Sequence, residues 1–433
     1  MLTVMKKGVY FIFATIVILS GCSVVSEGGE GEEQKQEMPD IVEFQVPEEA
    51  PTLTKGQLDL SDAVLGFGIE VFSNLLENHP KEDVVFSPAS LSLVLSLSGI
   101  GAVGQTAGQI SKLLGFDEKS QGEVASYYQT VVGRLIKADE SVKFSSANAI
   151  WADEPFPIKS TYIGDAIRFF NASVFRSDFS KKNELLSSIN NWCETNTNGQ
   201  IPKFLETAPE APLVITNALY YKAQWGVVFD EDLKKLTFHG AKGDSEATFF
   251  GKTDLFIYQS LPNMQLISLP YGNGSFDFVA MLPAKDKTVS DIVSFLKTAD
   301  GCRLLSDFGR TQSGSLGLNV SVALPKFEIK ADFSDFREIL FSMGATLPFD
   351  AHKADFSGIS QVPHLYINKI IQKAVLNLDE KGTEAAVVSM ELMCTTSLDN
   401  PEPEIEKFIA DRPFVFLVRE RSSGSVLFMG VKN

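Results

Sequence analysis

The segment that most constrains this chain has the composition of a strand in a place where a loop belongs. From Ile370 to Leu378 the residues Ile-Ile-Gln-Lys-Ala-Val-Leu-Asn-Leu read as a strand, and Asp379-Glu380-Lys381-Gly382 leads from them into Thr383-Glu384-Ala385-Ala386-Val387-Val388-Ser389. After Gly382 no glycine or proline occurs until Pro401, so small and β-branched residues fill a stretch that should be irregular. Such a segment is a loop able to become a strand. As a strand it would carry Thr383, Ala385, Val387, Ser389 and Glu391 on one face.

The amino-terminal end has its own logic. Met1 to Cys22 carries Lys6-Lys7, an apolar run from Gly8 to Leu19, and then Leu19-Ser20-Gly21-Cys22. About a dozen apolar residues are too few to cross a ~30 Å hydrocarbon layer as a stable helix, and the pattern fits a secretory leader. Leu-Ser-Gly-Cys resembles the lipobox of prokaryotic lipoproteins, which implies removal of residues 1–21 and a lipid on Cys22. The competing reading is an ordinary cleaved leader with a chance cysteine. Ser23 to Pro51 is rich in Gly, Glu and Pro with almost no basic residues, so residues 22–56 are expected to be a solvated, disordered acidic tether. The protein is expected outside the cytoplasm, lipid-anchored to the cell membrane, with its folded domain over residues 57–433.

An apolar fraction of 44% with 33 phenylalanines supports a substantial core, and a net charge of −17 argues against nucleic acid or an anionic lipid surface as the main partner. Apart from Cys22 the cysteines are Cys193, Cys302 and Cys394, an odd number without paired spacing, which gives neither a disulfide framework nor a zinc site. Cys193 and Cys302 read as small hydrophobes in helices, and Cys394 as the exposed, oxidisable one. None of the four histidines, His79, His239, His352 and His364, lies beside a nucleophile motif, and no Gly-x-Ser-x-Gly elbow is present. Neither an enzyme nor a cofactor is expected.

Helical spacing of Leu60, Val64, Phe67, Val71 and Leu75 predicts a helix over Gln57 to Asn78, capped by Asp59 or Ser61. Asp83 to Ser90 predicts a short buried strand, a Ser at the turn and Pro88 at the first helical position, with the helix continuing through Leu91 to Leu97. Gly99-Ile100-Gly101-Ala102-Val103-Gly104 matches a dinucleotide-binding pattern by letters, but it follows a helix and reads as a helix-helix turn before Gln105 to Leu114. Val142 to Trp151 reads as a strand, and Ile158 to Phe170 and Glu184 to Asn196 as helices. Pro212 to Trp225 is nearly continuous apolar sequence, which means a central strand covered on both faces, with Asn217 as its polar exception. Strands follow at Met264 to Tyr271, Ser275 to Pro283 and Leu318 to Ile329; then a helix at Asp332 to Met343 ending at Gly344; then strands at Tyr366 to Leu378, Pro413 to Arg419 and Ser425 to Val431. Helices dominate the first half and strands the second, so the fold class is α+β.

Several of these stretches, in this order, resemble the serpin family over roughly residues 57 to 433. They are Phe86-Ser87-Pro88, Asn217-Ala218-Leu219-Tyr220-Tyr221-Lys222-Ala223-Gln224-Trp225, Leu324-Pro325-Lys326-Phe327, Glu380-Lys381-Gly382-Thr383-Glu384-Ala385-Ala386, Asp411-Arg412-Pro413-Phe414 and Phe428-Met429-Gly430. The resemblance implies helices packed on large mixed and antiparallel sheets with an exposed reactive-centre loop over about residues 380–404. Its hinge would comprise Glu380, Gly382, Thr383, Glu384, Ala385 and Ala386. The family's count from Glu380 puts the reactive bond between Thr396 and Ser397. Ser87, Ser90, Asn217, Trp225 and Gln372 are the expected sheet-opening cluster. Gln372 stands where serpins often carry a histidine.

What the resemblance implies about function is suicide inhibition of a serine protease, or of a cysteine protease, with no catalytic residue of the chain's own. The freed loop would insert into the main sheet; the thirteen steps from Thr383 to Thr396 at ~3.3 Å each span ~43 Å. A Thr at the cleavage point favours elastase-like enzymes over trypsin-like ones, and the chain is expected to be a monomer. The alternative is a non-inhibitory serpin serving as a binding or scaffold protein, which Val387 and Glu391 in the inserting segment favour.

Overall fold

The structure is a computed structural model, and it describes residues 10–20, 43–117, 119–229, 234–310, 317–333, 335–380 and 405–433. Its strands are β1 (Tyr10–Ser20), β2 (Val84–Phe86), β3 (Lys143–Asp153), β4 (Ala172–Ser177), β5 (Leu213–Lys222), β6 (Lys234–Gly240), β7 (Gly243–Ser260), β8 (Met264–Tyr271), β9 (Phe276–Pro283), β10 (Leu318–Pro325), β11 (Phe327–Phe333), β12 (Tyr366–Leu378), β13 (Glu406–Ile409), β14 (Phe414–Glu420) and β15 (Val426–Lys432). Its helices are α1 (Lys55–Asn78), α2 (Pro88–Gly99), α3 (Gly104–Leu113), α4 (Gln121–Lys137), α5 (Ser160–Phe170), α6 (Lys182–Asn196), α7 (Val289–Leu296), α8 (Ala299–Asp307) and α9 (Arg337–Ser342).

Two sheets organise the described residues. One has the strand order β11-β12-β1-β5-β3-β4, and its pairs are antiparallel except β3 with β4. The other runs β13-β10-β7-β8-β9-β14-β15-β2, with β6 added on β7. Both faces of the first sheet are covered, which is why β5 could be so apolar. Leu213, Ile215, Leu219 and Tyr221 of β5 join Ile370, Ala374 and Leu376 of β12 and the α2 side chains Leu91, Leu93 and Leu97 in the main core. On the opposite face Val214, Tyr220, Ala149, Trp151 and Ile371 pack against Leu185, Ile189 and Cys193 of α6. In the second sheet Arg419 is fully buried and is held by Asp277 at 3.1 Å and by the carbonyl of Leu305 at 2.7 Å.

The apolar run of the expected leader is strand β1 in the full chain. Three sequence expectations change in the structure. The tether expectation fails from Glu43 onward: Phe44 and Leu53 pack on the core, a Cβ on Gly133 would meet the Pro47 ring at 3.0 Å, and Arg134 Nη1 donates to the Pro51 carbonyl at 2.8 Å. The apolar and proline residues at the end of this acidic stretch bury surface against α4, which a solvated tether would not. Helix α1 begins earlier than expected because Thr54 is its cap, accepting from the Gln57 amide while Gln57 Oε1 accepts from the Thr54 amide, so neither Asp59 nor Ser61 has that role. Leu318 to Ile329 is two strands in two sheets, with Pro325 and Lys326 at the crossing; the strand β11 then takes residues assigned to a helix, leaving only Arg337–Ser342 helical.

Candidate functional site: the slot between β5 and β12

Strands β5 and β12 both pair antiparallel with β1, so they run parallel to each other as the two walls of a one-strand slot. The N-terminus of α2 lies beneath it. Ser87 is the helix cap, its Oγ accepting from the Ser90 amide at 3.1 Å, and Pro88 takes the first helical position, where a missing N–H costs nothing.

This one turn is tied to both walls. On the β12 side, Gln372 Oε1 accepts from the Ser87 amide at 2.9 Å and Gln372 Nε2 donates to the Ser87 carbonyl at 3.3 Å. On the β5 side, Ser90 Oγ donates to Asn217 Oδ1. Asn217 Nδ2 then donates to Asn148 Oδ1 on β3 at 2.8 Å, and Asn148 Nδ2 to the Phe170 carbonyl at the end of α5 at 2.6 Å. Ser87, Ser90, Asn148, Asn217 and Gln372 are all essentially inaccessible to water. A buried network of this kind is stable only while every member is paired, since each donor or acceptor left unmatched costs about 1–3 kcal/mol.

Four of the five residues expected to form the sheet-opening cluster therefore come together. Trp225 does not. It lies beyond the end of β5, stacked on Tyr271 with ring centroids 4.4 Å apart, and its Nε1 donates to the Asp379 carbonyl at 2.8 Å. Its position at the hinge end follows from the sequence order, since β5 and β12 run in the same direction and finish near one another. Asn148 is the member that sequence reasoning missed; an asparagine inside a strand-like run is itself unusual, and that was the available signal.

Glu380, the first residue of the expected hinge, pairs through its carboxylate with Lys326 at the crossing from β10 to β11. Asp379 and Glu380, which follow the end of β12, are thus held from two directions. Gly382, Thr383, Glu384, Ala385, Ala386, Cys394, Thr396, Ser397 and Cys22, the expected lipidation residue, lie outside the described residues.

The remaining reactive side chains are placed elsewhere. Burial pushes the Cys193 thiol in α6 up to about 12, and burial together with Asp62 also raises that of Cys302 in α8. His79 pairs with Glu82 at 3.2 Å and His239 with Asp244 at 2.9 Å, all of them exposed, while the His352 and His364 rings face each other at 6.0 Å. Among the described residues no three His, Cys, Asp or Glu side chains are grouped to hold a metal, and no helix is long and apolar enough to cross a membrane.

The fold and its slot define a protein whose central sheet accommodates a strand between two parallel walls, one of which ends just before the expected hinge. Residues 62–433 match the family model described as Serpin (serine protease inhibitor), and the chain belongs to the serpin family. It is 29% identical over 375 residues to an uncharacterized serpin-like protein of Thermococcus kodakarensis, covering 85% of this chain and 84% of that protein. It is likewise 29% identical over 379 residues to leukocyte elastase inhibitor A of Mus musculus, covering 86% of this chain and 98% of that one. Among solved structures, the thermophilic serpin tengpin in its native state superposes with a TM-score of 0.74 at 26% identity, covering 90% of this chain and 97% of tengpin. The native stressed form of Arabidopsis AtSerpin1 gives 0.75 at 25% identity, covering 88% and 98%.

Proposed function

We propose that this chain is a suicide-substrate inhibitor of serine proteases, with cysteine proteases as a second target class. The observation that carries the reading is a slot that takes one antiparallel strand beside β12, which ends at Leu378, with Asp379 and Glu380 leading from it to Lys381 and Gly382 of the expected loop. A loop turning back at Gly382 would enter that slot with the same polarity as β1.

In the reaction the protease nucleophile attacks the Thr396 carbonyl, the Thr396–Ser397 bond breaks, and the Ser397 amine leaves with a proton from the protease's own base. An ester or thioester on Thr396 remains. The freed segment from Thr383 to Thr396 then adds to the sheet, and its ladder hydrogen bonds and buried side chains drive the step. The tethered protease is displaced by ~43 Å, its catalytic alignment is lost, and deacylation stalls. The native form is accordingly a kinetic trap.

A small residue at Thr396 suits elastase-like primary pockets, and relatives named as leukocyte elastase inhibitors support that preference. The leader pattern supports export and a lipid on Cys22 as the membrane anchor. Glu391 supports the second reading, a non-inhibitory binding protein, because it falls on the face of the loop that insertion would bury. Incubation with an elastase-like protease separates the two: an inhibitor gives a covalent complex that survives a denaturing gel, and a binding protein gives only cleaved chain.

A further inference from the structure

The slot in this chain is filled by its own amino terminus. Tyr10 is opposite Lys222 on one side and Asn377 on the other, and the pairing runs to Leu19 opposite Leu213 and Ser20 opposite Tyr366, with one register shift against β12 between Ile18 and Leu19. Strand β1 therefore spans the whole of β5. Its sequence, Tyr-Phe-Ile-Phe-Ala-Thr-Ile-Val-Ile-Leu-Ser, is rich in β-branched residues, which suits a covered central strand. Between its ends Thr15 is the one polar residue, and Thr15 falls on the rung shared by Asn217 and Gln372, the wall residues of the buried network.

We infer that the unprocessed leader is an intramolecular plug that holds the chain in a filled-sheet, non-inhibitory form until the leader is removed. The inference rests on the inhibitory reading above for its consequence, but not for the plug itself. One slot holds one strand, so the reactive loop and β1 exclude each other. A chain that keeps residues 1–21 has no place for the loop of a protease-bound molecule, and acylation would end in hydrolysis. Removal of the leader at the bond before Cys22 takes away the strand and leaves the slot for the loop. The same run that directs export would then keep the inhibitor inert before it reaches its compartment.

Backbone amide exchange on the full chain, purified without export, tests this beside two variants, Ile16→Pro and Ile16→Val. A proline in a central strand removes a ladder donor and should expel β1, whereas valine should keep it. The expected result is exchange at Phe11 to Leu19 slowed by at least about a hundredfold relative to an unfolded chain in the parent and in Ile16→Val, and lost in Ile16→Pro, with β5 and β12 exchanging faster in that variant. Covalent complex formation with an elastase-like probe protease should rise at least about tenfold in Ile16→Pro. Exchange of Phe11 to Leu19 at the unfolded rate in the parent overturns the plug. Protection lost on Ile16→Pro with no complex from any form keeps the plug and removes the inhibitory reading instead.

Discussion

The indole Nε1 of Trp225 donates a 2.8 Å hydrogen bond to the carbonyl oxygen of Asp379, joining the segment after β5 to the last residue before the hinge. This bond and the Lys326–Glu380 ion pair both hold the chain at the end of β12.

Trp225→Phe should loosen that end of β12 without releasing it, because the ring stack on Tyr271 survives and only the donor is lost. A net hydrogen bond of about 1 kcal/mol predicts amide exchange at Leu378 to Glu380 faster by about fivefold, with β14 unchanged. Equal acceleration in both places would show that Trp225 supports the whole fold and has no special bearing on the hinge.

The buried polar rung makes a separate prediction. Asn217→Ala removes the partners of Ser90 Oγ and Asn148 Oδ1 in one step, and the expected loss is about 2–4 kcal/mol, read as a lower urea midpoint at unchanged slope. Asn217→Asp should be worse than alanine at pH 7, since it buries a carboxylate against the Asn148 carbonyl oxygen. A variant within about 0.5 kcal/mol of the parent would mean that the network contributes little.

Arg134 joins the amino-terminal strap to the second sheet: Nη1 donates to the Pro51 carbonyl at 2.8 Å and Nε lies 3.0 Å from Glu420 Oε2. Burial works against ionisation of Glu420, yet the Arg134 guanidinium and the Ser423 donors outweigh it and hold the carboxyl below its usual value. Its ionised form therefore contributes stability that is complete above the usual carboxylate value and is lost as pH falls through the lower folded value. In Arg134→Met burial acts alone and raises the carboxyl, so stability should fall by about 3 kcal/mol at neutral pH and partly recover on acidification towards pH ~5, as Glu420 takes up a proton. Denaturant midpoints from pH 4 to 8 check it. Parallel curves for parent and variant would contradict the pairing.

Thr396→Arg should shift inhibition from elastase-like to trypsin-like proteases, because the residue on the acyl side of the cleaved bond fills the primary pocket. Second-order rate constants against one enzyme of each kind measure the shift, expected at about a hundredfold or more in their ratio. Mass spectrometry should then find a released fragment beginning at Ser397. A variant cleaved at another bond would place the reactive position elsewhere.

The strands β8 and β12 were legible to the residue, because each is a long apolar run closed by turn signals. Asn217 was legible for the opposite reason, as a polar residue inside an apolar run, whereas Ser87, Ser90 and Gln372 followed from the family resemblance. Where reading failed, the sequence pattern was real but its partner was remote. The alternation of Leu318 to Ile329 continues through Pro325 although the chain changes sheets there, because either sheet satisfies the same pattern. The grouping of Trp225 with the cluster beneath the slot failed similarly, since position along β5 is invisible until the neighbouring strand is known. The run from Tyr10 to Ser20 has the length and setting of a leader and the β-branched content of a strand, and hydrophobicity alone does not separate a bilayer from a sheet.

The central claim is that the main sheet gains a strand from the reactive loop, and its most direct test is the thermal unfolding midpoint of the processed protein, beginning at Cys22, before and after cleavage within the loop. Insertion adds a full ladder and relaxes the kinetic trap, so the cleaved protein should unfold far higher, by about 20 °C or more. An unchanged midpoint after complete cleavage between Met390 and Leu398 would mean that the loop does not enter the slot, and the inhibitory mechanism would fall with it.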